Sequence, residues 1–429
     1  MTKPLRIAIA GLGTVGGGVI KTLVMRRAEL AARAGREIDC VAVSALDRSK
    51  RRPVSIADIP WADDAASLAA GDADVVVELI GGEDGPARTL VERALSSGKH
   101  VVTANKALLA YRGASLAALA EEKGVSLRFE AAAAGGIPIV KALRESLIAY
   151  DVVAVRGILN GTCNYILTQM EASGRSFAEI LAEAQQLGFA EADPTLDVGG
   201  GDTAHKLALL AALAFGIKPD LANIPIQGIS HITPQDIAFA REFGWRIKLL
   251  GIARRVSDRI DQRVQPAMVK LGTPLADVDG AFNAVVANAG EAGPFFFEGR
   301  GAGEAPTASA VLADIVDIAR GNVSTAFGRP AESLRTATPA LPQSLRSAFY
   351  LRFDVLDVPG VLAEIATHLA QSEISIESMI QRGRSLGEAV SIVMITHECS
   401  HEAVARALKV ISASDRVLGT PCMIPMEAG

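Results

Sequence analysis

Between Leu187 and Lys206 the chain runs Leu-Gly-Phe-Ala-Glu-Ala-Asp-Pro-Thr-Leu-Asp-Val-Gly-Gly-Gly-Asp-Thr-Ala-His-Lys, setting three acids, Glu191, Asp197 and Asp202, close to one lysine, Lys206. Asp202 stands where a helix N-cap belongs and Lys206 follows at i+4, so both side chains can project from one side of a first turn. An ammonium held among carboxylates can bind a substrate oxygen and move a proton. The competing reading is a cap plus an ordinary i,i+4 ion pair, worth about 0.3 kcal/mol. Against it stands the segment from Leu207 to Phe215, which is apolar on every side and therefore a buried helix, whose charged first turn faces an internal cavity.

Two further groups could join this chemistry. Asn105-Lys106 follows an apolar strand ending near Thr103, which puts a second lysine at the carboxyl end of a parallel sheet, where such folds bind ligands. Asn160-Gly161-Thr162 is a turn into a helix, able to hold a carboxylate or simply to cap. His205, His231, His368, His397 and His401 show no ligand-like grouping, and Cys40, Cys163, Cys399 and Cys422 form no C-x-x-C pair, so neither a zinc site nor a disulfide framework is expected.

Gly11-Leu12-Gly13-Thr14-Val15-Gly16 follows a clean strand and opens a helix. In that context the glycines allow a tight turn and close backbone approach, while the helix N-terminus offers amide donors to a pyrophosphate. After the second strand comes Asp47-Arg48-Ser49-Lys50-Arg51-Arg52. An acid there suits the ribose hydroxyls of NAD, and basic groups such as Arg48 and Lys50 suit the extra phosphate of NADP; the two signals conflict. Gly299-Arg300-Gly301-Ala302-Gly303 is a second glycine-rich loop, either an interdomain connection or a flap over the cofactor that brings Gly303 to it.

The elements that must position these groups follow from periodicity. Strands at Leu5–Ala10, Ile38–Ser44, Ala73–Leu79, His100–Thr103 and Val125–Phe129 alternate with helices at Val15–Ala34, Pro86–Ser97 and Ser115–Lys123, the pattern of an α/β, Rossmann-type doubly wound parallel sheet. The texture then becomes that of an α+β substrate and dimerisation domain. Residues 1–130, with 304–328 returning, are expected to form the NAD(P)-binding domain and 131–303 the catalytic domain. The Pro-rich stretch 329–346 reads as a linker, and 347–429, in the order β-α-β-β-α-β, as a C-terminal ferredoxin-like domain.

With 429 residues, 49% of them hydrophobic and a formal charge of −5, the chain is a multidomain globular protein with ample core. Its mild acidity and 4% aromatic content argue against a nucleic-acid partner. The apolar run from Leu207 to Ile217 is too short to cross a bilayer, and residues 1–6 lead straight into a strand without a signal-peptide pattern, so no membrane and a cytoplasmic location are expected.

Across nearly its whole length the chain resembles homoserine dehydrogenases of the longer form, with a C-terminal ACT domain. The resemblance rests on G-L-G-T-V-G at 11–16, T-A-N-K-A-L at 103–108, E-A-A-A-A-G-G-I-P at 130–138, N-G-T-C-N-Y-I-L at 160–167, the 187–206 block and G-R-G-A-G-E-A-P-T-A-S-A-V at 299–311. It implies reversible interconversion of L-homoserine and L-aspartate 4-semialdehyde with NADP or NAD, on the route to threonine and methionine. Carried onto matching positions, Lys206 would be the acid/base with Asp202 beside it, and Lys106 would lie between nicotinamide and substrate. Glu191 and Asp197, with the Asn160-Gly161-Thr162 turn, would hold the amino-acid end, and Thr103 and Lys106 would border the cofactor. A sodium or similar monovalent cation would sit on the backbone carbonyls of Glu130, Ala133, Gly135 and Ile137. The loop Asp357-Val358-Pro359-Gly360-Val361-Leu362 resembles that of an ACT domain, implying a paired assembly, homodimer or homotetramer, and threonine as an effector. Related chains often carry an arginine near Ala45 or Leu46; here basic residues begin at Arg48, which leaves the nicotinamide preference open. The alternatives are another amino-acid or semialdehyde dehydrogenase on this scaffold, with Cys163 as a nucleophile, and a non-catalytic nucleotide and amino-acid sensor.

Overall fold

The computed structural model describes residues 3–52, 54–382 and 389–427; the outermost residues of the expected first and last domains, 1–2 and 428–429, lie outside them. Five parallel strands, β1 (Leu5–Ala10), β2 (Ile38–Ser44), β3 (Val75–Glu78), β4 (His100–Thr103) and β5 (Leu127–Arg128), form a sheet in the order β2-β1-β3-β4-β5. Parallel strands need crossovers, supplied by α1 (Thr14–Met25), α2 (Arg27–Ala34), α3 (Pro86–Ser96) and α4 (Lys106–Glu122). The burial of Ile7, Ile9, Val75, Val76, Val77, Val101 and Val102 at 0% exposure reflects helices on both faces. This is the doubly wound sheet expected from the alternation. Its order reverses between β1 and β3, and the glycine-rich turn opens in the crevice at that switch point.

Two helices differ from their periodicity. The single helix expected over Val15–Ala34 bends at Arg26 into α1 and α2; the bend lets Leu30 and Ala34 remain buried, while Arg26 pairs with Glu29 at 2.6 Å. The helix expected from Ser115 already begins at Lys106, because Asn105 caps it through its side chain, accepting from the Leu108 amide at 3.1 Å.

The chain then forms α5 (Ile139–Lys141), β6 (Ala154–Ile158), α6 (Gly161–Ser173), α7 (Phe177–Gln186), α8 (Thr195–Val198), α9 (Gly201–Phe215), α10 (Pro234–Glu242), β7 (Trp245–Val256), β8 (Arg259–Lys270), β9 (Phe282–Asn288) and β10 (Pro294–Arg300). Strands β10-β9-β6-β7-β8 are antiparallel neighbours. Helix α9 buries Leu207 to Leu213 without interruption and lies directly on β7: a side chain at Gly251 would come within 3.0–3.4 Å of Leu159, Thr203 and Leu207. Helix α11 (Glu304–Ala319) returns to the first sheet, where Val311 and Ile315 join the core of Ile7, Ile9 and Val19 and Glu304 pairs with Lys21 at 3.0 Å.

The last unit comprises β11 (Arg346–Leu356), α12 (Val361–Gln371), β12 (Ile376–Gln381), β13 (Ala389–Thr396), β14 (Cys399–Ser400), α13 (His401–Ile411) and β15 (Val417–Glu427), with main strand order β15-β11-β13-β12, a ferredoxin-like arrangement. The final strand runs on to Glu427, where Met426 and Glu427 pair in parallel with Met268 and Val269 of β8. The second and third units therefore share one continuous sheet. Buried Asp236 on α10 fastens them further, receiving Arg352 Nε at 2.7 Å and the Tyr350 hydroxyl at 2.9 Å.

Candidate active site

The turn after β1 is shaped by what lies against each glycine. A Cβ at Gly11 (φ +94°) would fall 2.3 Å from the Leu79 carbonyl, and one at Gly16 would fall 2.0 Å from the Gly11 carbonyl, so both positions are closed to side chains. Among the described residues, nothing beyond its own chain neighbours lies within 4 Å of the corresponding point at Gly13. Gly13 is also the N-cap of α1 and has no side chain to satisfy the first amides, so these point into an open approach of the kind a pyrophosphate fills. Leu12 and Val15 turn their side chains into the sheet's core and can serve a ligand only through their backbone, whereas Thr14 is exposed. Gly303 (φ +116°) is the N-cap of α11, which runs beside α1 with Glu304 against Gly18.

Beyond β2, the Asp47 carboxylate is used locally: it accepts from the Ser49 amide and hydroxyl at 2.8 and 2.6 Å and from the Lys50 amide at 3.2 Å. Arg52 donates to the carbonyls of Asp47, Arg48 and Lys50, bracing the loop. The guanidiniums of Arg48 and Arg52 lie 5.5 and 5.4 Å from the centroid of the Trp61 ring. Trp61 played no part in the sequence reading, since nothing local ties position 61 to position 48.

At the end of β4, Thr103 is fully buried. Its hydroxyl donates to Glu78 Oε2 at 2.5 Å and accepts from the Asn105 amide at 2.9 Å, while Asn105 Nδ2 reaches the Gly82 carbonyl at 2.7 Å. The Thr103 hydroxyl is spent on fixing the loop that delivers Lys106. Glu78, which sequence reasoning overlooked, anchors the neighbouring loop through the Ile80 and Gly81 amides; an acid closing a Val-Val-Val strand was the available signal.

Lys106 and the 187–206 block meet across the cleft between the first and second units. Asp202 Oδ2 receives Lys206 Nζ at 2.7 Å and Asn160 Nδ2 at 2.9 Å, and its Oδ1 lies 3.2 Å from Lys106 Nζ. Lys206 also donates to the Leu159 carbonyl at 2.8 Å, leaving one of its three N–H bonds for a substrate oxygen. Burial opposes the charge on Asp202, yet the two ammoniums and the hydrogen bonds from Lys206 and Asn160 hold its carboxyl well below the usual carboxylate range. Asp202 is not the cap expected of it: α9 begins two residues earlier than such a cap would set and is capped by Gly200 (φ +89°), whose conformation turns the chain so that Asp202 occupies the inner first turn and is free for the lysines.

Asn160 itself caps α6, accepting from the Cys163 amide at 2.8 Å, and spends its other end on Asp202 and on Asp197 Oδ1 at 2.8 Å. Thr162 reaches Asp197 Oδ2 at 3.2 Å, and a side chain at Gly161 would fall 2.9 Å from the Ala281 carbonyl. Glu191 does not join this cluster. It is exposed on the loop before α8, where its carbonyl accepts from Gln185 Nε2, and among the described residues no cation pairs with its carboxylate. The expected convergence of three acids is corrected to two. Cys163 is fully buried, and burial together with Asp197 and Asp202 pushes its thiol far above its ordinary value, so it is no nucleophile at neutral pH.

The turn over Glu130, Ala133, Gly135 and Ile137 is buried and docks on the 299–303 loop: a Cβ at Gly135 (φ +58°) would fall 2.2 Å from the Gly301 carbonyl. Burial and neighbouring Asp314 push the Glu130 carboxyl up to about 7, and burial pushes Asp314 up to about 6.

Comparison with known proteins places this geometry. The family model described as "Homoserine dehydrogenase, NAD binding domain" matches residues 11–130, that described as "Homoserine dehydrogenase" matches 138–316, and "ACT domain" matches 349–415. The chain is 44% identical over 432 residues to the homoserine dehydrogenase of Neisseria gonorrhoeae and 43% identical over 436 residues to that of Pseudomonas aeruginosa, with 99% of each chain covered in both cases. The crystal structure of a homoserine dehydrogenase from Thiobacillus denitrificans superposes with a TM-score of 0.92 at 43% identity, covering 99% of both chains.

Proposed function

This chain belongs to the homoserine dehydrogenase family and is an oxidoreductase of that activity with a nicotinamide cofactor, and we propose that Lys206 is its acid/base. The single observation that supports this role most is the buried Asp202 carboxylate receiving Lys206 from its own helix and Lys106 from the nucleotide-binding unit. Bound in the glycine-rich crevice, the cofactor supplies or accepts a hydride at the substrate carbon. Lys206 protonates the oxygen of the forming alcohol, and in the reverse direction accepts that proton. Asp202 keeps the two lysines side by side, and Lys106 spans from the cofactor's sheet to the substrate. Asp197, Asn160, Gly161 and Thr162 hold the amino-acid end of homoserine or aspartate semialdehyde, and Glu191, on the exposed loop, is the acid proposed for its ammonium.

NADP is the preferred form in this reading. Asp47, the residue that would hold a free ribose hydroxyl, is occupied by Ser49 and Lys50, while Arg48 stands over Trp61 and, with Lys50, offers positive charge. Gly11 to Gly16, Thr103, Lys106 and Gly303 border the remainder of the cofactor. A sodium ion, or a similar monovalent cation, would sit on the carbonyls of Glu130, Ala133, Gly135 and Ile137, where its charge would offset the burial that raises the adjoining Glu130 and Asp314 carboxyls.

The reading extends to domain limits of 1–130 with 304–328, 131–303 and 347–429, and to a homodimer or homotetramer. Open sheet edges at β10 and β12, carrying Phe296 and Met379 at 37% and 42% exposure, support the assembly. A cavity of about 290 Å³ bounded by residues 355–362, Gln381 and Ile392 suits threonine as the effector of the ACT domain. Four free cysteines support a reducing cytoplasm, and among the described residues no helix is long and apolar enough to cross a membrane. Initial rates with homoserine, with NAD and NADP in parallel and with or without threonine, test cofactor choice and regulation; K206A must lose turnover while retaining cofactor binding.

A further inference from the structure

We infer that Lys248 and Asn164, a buried pair outside the cleft, position the Asn160-Gly161-Thr162 turn for the substrate; the inference rests on the reading that this turn holds the amino-acid end. Lys248 is 1% exposed on β7. Gly251, three residues further along the strand, faces Thr203 and Leu207 of α9, so Lys248 leaves the opposite face of the sheet, away from Asp202 and Lys206. It shares that face with Leu250 and Ile252, members of an apolar cluster with Ile158 and Val269.

An ammonium in such a place costs free energy unless it is hydrogen-bonded, and its bonds go to one loop and one helix. Lys248 Nζ donates to the Val278 carbonyl at 2.6 Å and to Asn164 Oδ1 at 3.1 Å, with Asp279 Oδ1 at 3.5 Å. Asn164, 1% exposed on α6, turns its Nδ2 to the carbonyls of Val278 and Phe282 at 3.0 and 3.1 Å. Burial pulls the Lys248 ammonium down to about 8, against the favourable charge of Asp279. The pair thereby satisfies backbone acceptors at the junction of β8 and β9 that an apolar side chain would leave unpaired.

That junction backs the substrate turn. A Cβ at Gly161 would fall 2.9 Å from the Ala281 carbonyl, so loop and turn meet backbone to backbone with no side chain between them. The Gly280 amide donates to Thr168 Oγ1 at 3.1 Å, a second stitch to α6. Asn164 lies one helical turn beyond Asn160, its amide donating to the Asn160 carbonyl at 3.3 Å, and Asn160 Nδ2 is the donor that reaches both Asp197 and Asp202. Lys248 thus acts on the cleft through Asn164 and the loop. Misplacing a binding group by about 1 Å is enough to lose catalytic efficiency.

Steady-state kinetics of the full chain with homoserine, alongside the NADP Kd and the melting temperature, test the pair. K248M and N164A are each expected to raise the homoserine KM by about tenfold, with the cofactor Kd at its wild-type value. The double variant is expected to lose no more than the worse single, because the two residues act in one chain of contacts. T168V, which keeps its shape and severs only the Gly280 stitch, is expected to raise the same KM by about threefold, so the test does not depend on K248M folding. A wild-type KM in N164A and T168V overturns the inference, as do additive losses in the double variant or a cofactor Kd that weakens in step with the KM. T162A separates the inference from the reading beneath it. A raised KM in T162A with a normal KM in K248M and N164A sinks the pair alone, whereas a normal KM in T162A removes the role of the turn and the inference with it.

Discussion

Lys106 Nζ, carried by the nucleotide-binding unit, lies 3.2 Å from Asp202 Oδ1 on the buried helix of the second unit. One carboxylate thus joins the two halves of the cleft and keeps two ammoniums in register. Replacing it with a neutral group leaves like charges facing each other beside a buried helix. D202N is expected to lose about 3–5 kcal/mol of stability, read by urea unfolding, and at least a hundredfold in kcat/KM, about 3 kcal/mol of transition-state stabilisation. Unchanged unfolding midpoints would show that the carboxylate does not bridge the cleft.

The sign of the pH dependence at this site follows from the depressed carboxyl of Asp202. A group bound more weakly by protons in the folded state stabilises the fold above its unfolded value, about 4, and that contribution disappears as pH falls below it. Wild-type chain should therefore show an acid limb of stability that D202N lacks.

Glu130 and Asp314 act in the opposite direction. Their folded values, about 7 and about 6, lie above the ordinary carboxylate range, so their contribution is complete below about pH 4 and is lost as pH rises toward neutrality. A cation on the neighbouring carbonyls would favour both ionised carboxylates and flatten this decline. Melting temperatures compared at pH 5 and 7.5 are expected to fall less in sodium chloride than in choline chloride. Equal slopes in the two salts would remove the cation from the Glu130–Ile137 turn.

Cofactor choice separates from cofactor binding at two positions. R48A and K50A are expected to raise the KM for NADP by about ten- to a hundredfold and to leave that for NAD little changed. G13A, with open space around its Cβ, should melt as wild type does but bind either cofactor more weakly. G16A, whose Cβ meets the Gly11 carbonyl, should be destabilised by about 1–3 kcal/mol. Equal losses for NAD and NADP in the Arg48 and Lys50 variants would place the 2′-phosphate elsewhere.

What was legible in the chain was whatever depends on near neighbours. The alternation of apolar strands with helices fixes a doubly wound sheet because parallel strands cannot pair without crossovers, and Asp202 with Lys206 is readable from i,i+4 spacing. The continuity of the second and third sheets was not legible: it rests on Met426 and Glu427 meeting Met268 and Val269, a contact that no periodicity announces. Nor was the burial of Thr103, because its partner Glu78 lies 25 residues away in another strand. The exposure of Glu191 was not legible either, since among the described residues no cation pairs with it.

Whether Lys206 moves the proton is tested most directly by single-turnover hydride transfer in K206M with saturating cofactor and aspartate semialdehyde, alongside the cofactor Kd. The rate is expected to fall by about 10² to 10⁴ while the Kd stays at its wild-type value. A rate close to wild type would contradict the assignment and require another group to supply the proton.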